Sequence, residues 1–108
     1  MSNYQRKTPL KSDCSIEKTL QLITGKWKPA ILSELLRNNT RLKDIQQELP
    51  EASKRALTQQ LKELIDDGLI QKTDFNEFPK RTEYSITELG LKLAPVFKSM
   101  TLFGDNIN

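Results

Sequence analysis

Five polar side chains, Lys54, Arg55, Thr58, Gln59 and Lys62, open a stretch over residues 53–67 in which no carboxylate occurs until Glu63. Positive charge beside amide and hydroxyl hydrogen-bonding groups is the chemistry that meets phosphates and base edges. Arg55 and Gln59 are four residues apart and share one face of a helix, where they could pair with guanine and adenine edges respectively. Each such pair is worth about 1 to 3 kcal/mol of discrimination. Lys54 and Lys62, with Lys80 and Arg81 further along, suit phosphates, which give affinity and salt dependence but little sequence information. An ordinary solvated helix can carry the same residues. The elements around the stretch must decide between the two.

The stretch itself reads as an amphipathic helix. Leu57, Leu61, Leu64 and Ile65 recur at the spacing of a core-facing stripe, Ala56 widens it, Ser53 is a capping residue, and Asp67-Gly68 ends it. Such a helix is a rod of roughly 22 Å, which a B-form major groove about 12 Å wide admits. Before it, Leu42, Ile45 and Leu49 mark a short helix over residues 42–49, and Pro50-Glu51-Ala52 form the turn between the two, the spacing of a helix-turn-helix. Two earlier helices are expected. The first starts among residues 12–15, carries Ile16, Leu20 and Ile23 on one face, and is ended by Gly25. The second opens at Lys28-Pro29, buries Ile31, Leu32, Leu35 and Leu36, and closes on the turn Arg37-Asn38-Asn39-Thr40.

After Gly68 the period changes. Residues 69–75 and 81–86 read as strands, joined by a hairpin loop over residues 76–80 with Pro79 at its tip. Thr87 caps a last helix with Leu89, Leu93, Val96, Phe97, Met100 and Phe103 in a stripe, widened by Leu91 and Leu102, and Pro95 is expected to bend it. The expected fold is mainly α with a small β-hairpin: a winged helix-turn-helix of five helices and a two-stranded wing. Lys80 and Arg81 sit at the wing tip, so the basic residues of helix and wing would face one duplex, the wing reaching the flanking backbone or minor groove. Residues 12–108 form this domain. Residues 1–11, with Arg6, Lys7, Pro9 and Lys11, are a basic arm that either contacts DNA or a partner subunit or is a frayed terminus.

Composition narrows the function classes. A chain of 108 residues and 12.4 kDa is sized for one domain, and a net charge of +3 permits an anionic partner without demanding one. No apolar run is long enough for a membrane span and no secretory signal is visible, so a cytoplasmic location is expected. With no histidine and the single cysteine Cys14, neither a Cys/His metal site nor an intramolecular disulfide is expected. No cofactor is expected either. No glycine-rich phosphate loop and no nucleophile with a visible base occur, so an enzyme is not expected.

The residues also resemble a family. Cys14-Ser-Ile-Glu-Lys-Thr-Leu, the segment Ile23-Thr-Gly-Lys-Trp-Lys-Pro-Ala-Ile-Leu-Ser-Glu-Leu, then Leu57-Thr-Gln-Gln-Leu-Lys-Glu-Leu, Asp67-Gly-Leu-Ile and Pro79-Lys-Arg-Thr-Glu-Tyr-Ser-Ile-Thr-Glu-Leu-Gly resemble the HxlR-type winged-helix transcriptional regulators, related to the MarR group. The resemblance implies a bacterial homodimer, built from the first and last helices, that places two recognition helices on a pseudo-palindromic operator of double-stranded DNA. Ile16 and Leu20 from the first helix and Val96, Phe97, Met100 and Phe103 from the last are the expected interface. The last helix independently carries more apolar surface than one side of so small a domain needs, although that surface could instead cap the chain's own core. No particular small-molecule effector is implied.

Two further residues have competing roles. Trp27, after a glycine and beside a helix start, is expected in the core or an interface rather than stacking on a ligand. Some relatives sense oxidants through a cysteine near the start of the first helix. Cys14 lies at such a helix N-terminus with Lys11 and Lys18 nearby in sequence, which favours the thiolate. With no second cysteine, a disulfide would join two subunits or recruit a small thiol, which departs from two-cysteine switches; the alternative is an inert buried thiol. The leading expectation is a sequence-specific regulator binding DNA as a dimer. The alternative is a winged-helix module for protein-protein assembly.

Overall fold

Eight elements make up the computed structural model, which describes Leu10 and residues 13–107. In chain order they are α1 (Ser15–Ile23), α2 (Lys28–Leu36), α3 (Leu42–Glu48), α4 (Lys54–Asp66), β1 (Ile70–Phe75), β2 (Arg81–Ile86), α5 (Glu88–Leu91) and α6 (Ala94–Gly104). The basic arm expected over residues 1–11 lies, apart from Leu10, outside the described residues.

The helix-turn-helix is α3 and α4. Ser53 starts α4, its Oγ accepting from the Ala56 amide at 3.0 Å, and Gly68 ends the segment at φ 77°, a left-handed conformation that costs glycine nothing. Between these ends Leu57, Leu61 and Leu64 are fully buried against Ile31, Leu32 and Leu35 of α2, Ile45 of α3, and Leu69 and Ile70 where the chain enters the wing. Each is worth roughly 1.5–3 kcal/mol of apolar burial, so α4 is held by its inner face and leaves its outer face free. α2 begins with Pro29 in its first turn and ends where Asn38 takes φ 70°. Glu34, buried at that end, accepts from Asn39 Nδ2 at 2.6 Å and Arg37 Nη1 at 3.2 Å, which ties the turn down.

β1 and β2 form one antiparallel ribbon in register from Ile70 opposite Ile86 to Phe75 opposite Arg81. The ribbon is anchored to the helical body: the Tyr84 amide donates to the Thr40 carbonyl at 2.8 Å, and Tyr84 and Ile70 are buried in the core. This anchoring fixes the wing relative to the start of α3.

Two local expectations are corrected. Gly25 does not end α1. Thr24 does, in extended conformation, its amide bonding the Leu20 carbonyl at 2.7 Å. Gly25 lies instead against side chains of two other elements: a Cβ there would stand 2.8 Å from Gln60 Oε1 and 3.0 Å from Lys28 Cδ and would have to push them aside. The last helix is not bent at Pro95 but broken ahead of it. Proline lacks the amide that would bond the carbonyl of Leu91, and its ring would clash there, so α5 stops at Leu91 and α6 restarts at Ala94 with Pro95 in its first turn.

Candidate nucleic-acid interface

Lys54, Arg55, Thr58, Gln59 and Lys62 are all exposed on the outer face of α4. The anchored wing carries Lys80 to the same side. Lys54 and Lys80 line one open groove of about 520 Å³ together with Arg41, Lys43, Gln46 and Thr82, and no carboxylate lines it among the described residues. Arg41 and Lys43 were absent from the sequence-based candidates. The signal was there: the buried Ile45 and half-buried Leu42 of α3 leave Lys43 exposed and Gln46 half-exposed, and they lie one turn apart on the side facing the wing.

Arg81 is placed differently from its neighbour Lys80. It is half-buried within the ribbon, with Nε 3.2 Å from Glu77 and 3.5 Å from Glu83 and the guanidinium 4.0 Å over the Phe75 ring. That Nε makes no well-directed hydrogen bond, so the contacts to the two glutamates are electrostatic. They draw Arg81 into the wing and away from the groove. Thr82 Oγ1 donates to Asp74 at 2.6 Å, and this bond holds the Asp74 carboxyl below its usual range.

On α4, Thr58 Oγ1 donates to the Lys54 carbonyl at 2.7 Å and so offers only lone pairs outward. Gln59 Nε2 donates to Glu63 Oε2 at 3.1 Å, and Glu63 Oε1 is 2.8 Å from Nζ of the buried Lys28. The bond from Lys28, then that from Gln59, keep the Glu63 carboxyl below its ordinary value. The first carboxylate of α4 is thereby offset by a cation from behind.

A second surface lies across α1 and α6. Ile16 is 71% exposed, Leu20 43%, Met100 48% and Phe103 72%, Val96 is also exposed, and α6 buries no residue at all. Phe97 differs from the other expected interface residues: it packs against the core and lines a cleft of about 240 Å³ with Ile23, Pro29, Ser33, Met100 and Thr101. Cys14 is exposed at the cap position of α1, so the inert buried thiol does not describe it. Trp27 packs against the core, as its position suggested, and its amide donates to Gln60 Oε1 at 3.1 Å. Among the described residues no cluster of three His, Cys, Asp or Glu could hold a metal ion, and no helix is long and apolar enough to cross a membrane.

A family model described as HxlR-like helix-turn-helix matches residues 22–108. The chain is 33% identical over 106 residues to YybR of Bacillus subtilis, an uncharacterised HTH-type transcriptional regulator, covering 98% of this chain and 85% of that one. Among solved structures it is similar to the redox regulator HypR in its reduced form, with a TM-score of 0.81 and 33% identity over 85% of this chain and 91% of that one. It is also similar to diamide-treated YodB from B. subtilis, with a TM-score of 0.71 and 28% identity over 87% of this chain and 94% of that one.

Proposed function

The chain belongs to the HxlR-like helix-turn-helix family, whose relatives are transcriptional regulators and not enzymes, and from that premise we propose that it binds operator DNA as a homodimer. The observation that carries this reading is the carboxylate-free basic groove continuous with the polar face of α4. α4 enters the major groove, with Arg55 and Gln59 on base edges, Thr58 as an acceptor, and Lys54 and Lys62 on phosphates. Lys43, Arg41 and Lys80 hold the flanking backbone, and Arg81 shapes the wing more than it binds. The two copies join through α1 and α6, so that two α4 helices meet a pseudo-palindromic site.

Titration of genomic fragments by fluorescence anisotropy at several salt concentrations tests this. Steep salt dependence is expected, and Lys43→Ala, Lys54→Ala and Lys80→Ala should each weaken binding to all sequences and reduce the salt slope by about one, with a smaller change for Arg81→Ala. Absence of binding at low salt would leave the protein-protein module as the better reading.

The likeness to the redox regulator HypR and the exposure of Cys14 favour a response to oxidants as a second part of this reading. Two Cys14 thiols from two subunits, or one with a small thiol, would lose two protons and two electrons to the oxidant and form one disulfide. Diamide is expected to change operator affinity in wild type and leave Cys14→Ser unchanged. Equal responses of the two proteins would remove Cys14 from the mechanism.

A further inference from the structure

We propose that Lys28, acting through Glu63, is a positioning residue that fixes which way the Gln59 amide faces, so that the first turn of α2 sets base preference from behind α4. The proposal rests on the DNA-binding reading above. Gln59 is exposed, and an exposed glutamine amide ordinarily rotates, presenting donor and acceptor interchangeably. Here its neighbour one turn on is a carboxylate at 3.1 Å, which can only accept. Turning the amide over would set Oε1 against Glu63 Oε2, two acceptors face to face, so chemistry selects Nε2 toward Glu63 and Oε1 toward solvent. The side chain then presents an acceptor flanked by the second Nε2 hydrogen, the pair that matches N6 and N7 of adenine.

This selection requires the Glu63 carboxylate to stay in place, although its side chain is 40% exposed. Lys28 supplies the restraint. Its ammonium is buried and takes Oε1 at 2.8 Å, leaving Oε2 for Gln59, so one carboxylate bridges the two. A buried ammonium holds its partner more firmly than a surface lysine would, because solvent does not compete for it. The loop that delivers Lys28 is itself tied to α4 by the Trp27 amide on Gln60 Oε1 at 3.1 Å. Gly25 lies against the same side chain, since a Cβ there would stand 2.8 Å from that Oε1 and press on it. Trp27 and Lys28 thus contact α4 at Gln60 and at Glu63, and through Glu63 Lys28 reaches Gln59.

Selection of bound sequences from a random DNA pool, run in parallel on wild type, Gln59→Ala, Lys28→Met, the double variant Lys28→Met/Glu63→Ala and the triple variant Lys28→Met/Gln59→Ala/Glu63→Ala, tests the proposal. Lys28→Met keeps the aliphatic bulk and removes the charge that Glu63→Ala alone would strand, so a folded protein is available for the comparison. Circular dichroism confirms folding before selection. Expected is a drop in preference of about fivefold or more at one base pair per half-site in Gln59→Ala. Lys28→Met and Lys28→Met/Glu63→Ala should both lose preference at that same base pair with the other positions unchanged, and Lys28→Met/Gln59→Ala/Glu63→Ala should lose no more than Gln59→Ala alone. A general structural defect would instead relax every position together, and that result overturns the proposal. So does full retention of the preference in Lys28→Met or in Lys28→Met/Glu63→Ala, or a Gln59→Ala variant that relaxes no position. A wild type that enriches no sequence removes the DNA-binding reading and the proposal with it, and this outcome is distinct because it appears before any variant is compared.

Discussion

Gly90→Ala is expected to destabilise the domain by about 3 kcal/mol or more, the upper end of what overpacking a well-packed site costs, and to lower its melting temperature by about 10 °C or more. Gly90 is buried in α5, and a Cβ placed on it would stand 2.1 Å from the carbonyl oxygen of Leu69 and 3.1 Å from Cγ2 of Ile86. The first of these atoms is backbone and has little room to move. Thr87 Oγ1 donates to the Gly68 carbonyl at 2.6 Å, and the Thr87 amide bonds that same Leu69 oxygen at 3.1 Å. The start of α5 is therefore bonded directly to the root of β1, and displacing it would pull on the Gly68 turn that ends α4. Helix propensity alone would favour alanine by about 1 kcal/mol, so the sign of the measured change separates packing from propensity. Gly104→Ala is the control. Nothing lies within 4 Å of a Cβ there, and the same propensity gain should appear as a neutral or slightly stabilising change. Urea and thermal unfolding of the two variants check this; a Gly90→Ala protein as stable as wild type would mean that α5 is not held against β1.

Elements dictated by local chemistry were legible in the sequence, and those dictated by contact were not. Ser53, Gly68, Pro29, Asn38 and Thr87 act where their types predict, because a capping hydroxyl, a left-handed turn residue or a missing amide has the same consequence in any context. The strands and their hairpin followed from the change of period after Gly68. A glycine beside a helix end usually supplies a left-handed turn, but Gly25 has no positive φ and lies instead against the side chains of Gln60 and Lys28, residues that the sequence does not show to be neighbours. Lys28 itself could not be singled out. A lysine in a first helical turn is ordinarily solvated, and only the packing of α2 against α4 reveals it as buried and paired with Glu63.

The candidate site divides along the same line. The outer face of α4 could be read from its period, since the buried leucines dictate which residues face outward. The groove could not be completed, because Arg41 and Lys43 join Lys54 and Lys80 only through the bond from Tyr84 to Thr40 that sets the wing against α3. Lys80 and Arg81 are adjacent in sequence, which by itself suggests one role for both. Lys80 lies in the loop just ahead of β2 and reaches the groove, whereas Arg81 opens β2, where Glu77, Glu83 and Phe75 gather around it.

Met100→Asp and Phe103→Asp are expected to convert a dimer into folded monomers and to weaken operator binding by about 100-fold or more. Both side chains are exposed in the single chain, so a carboxylate at either position costs the monomer little, and the far-ultraviolet circular dichroism should be unchanged. In a dimer the same carboxylates would be buried without a partner against the apolar residues of α1 and α6, where an unpaired charge costs several kcal/mol per copy, and each substitution occurs twice. The loss of affinity follows from linkage. A dimer that holds one half-site presents its second α4 at high effective concentration to the other, and avidity of this kind is worth about 100- to 10,000-fold. Affinity for an isolated half-site should therefore be almost the same in wild type and variants, which separates lost dimerisation from a damaged reading face. Phe97→Asp supplies the contrast: Phe97 packs against the core, so its substitution should destabilise the monomer itself. Sedimentation equilibrium and anisotropy with full and half operators measure both quantities, and Met100→Asp or Phe103→Asp proteins that remain dimers with full operator affinity would move the interface away from α6.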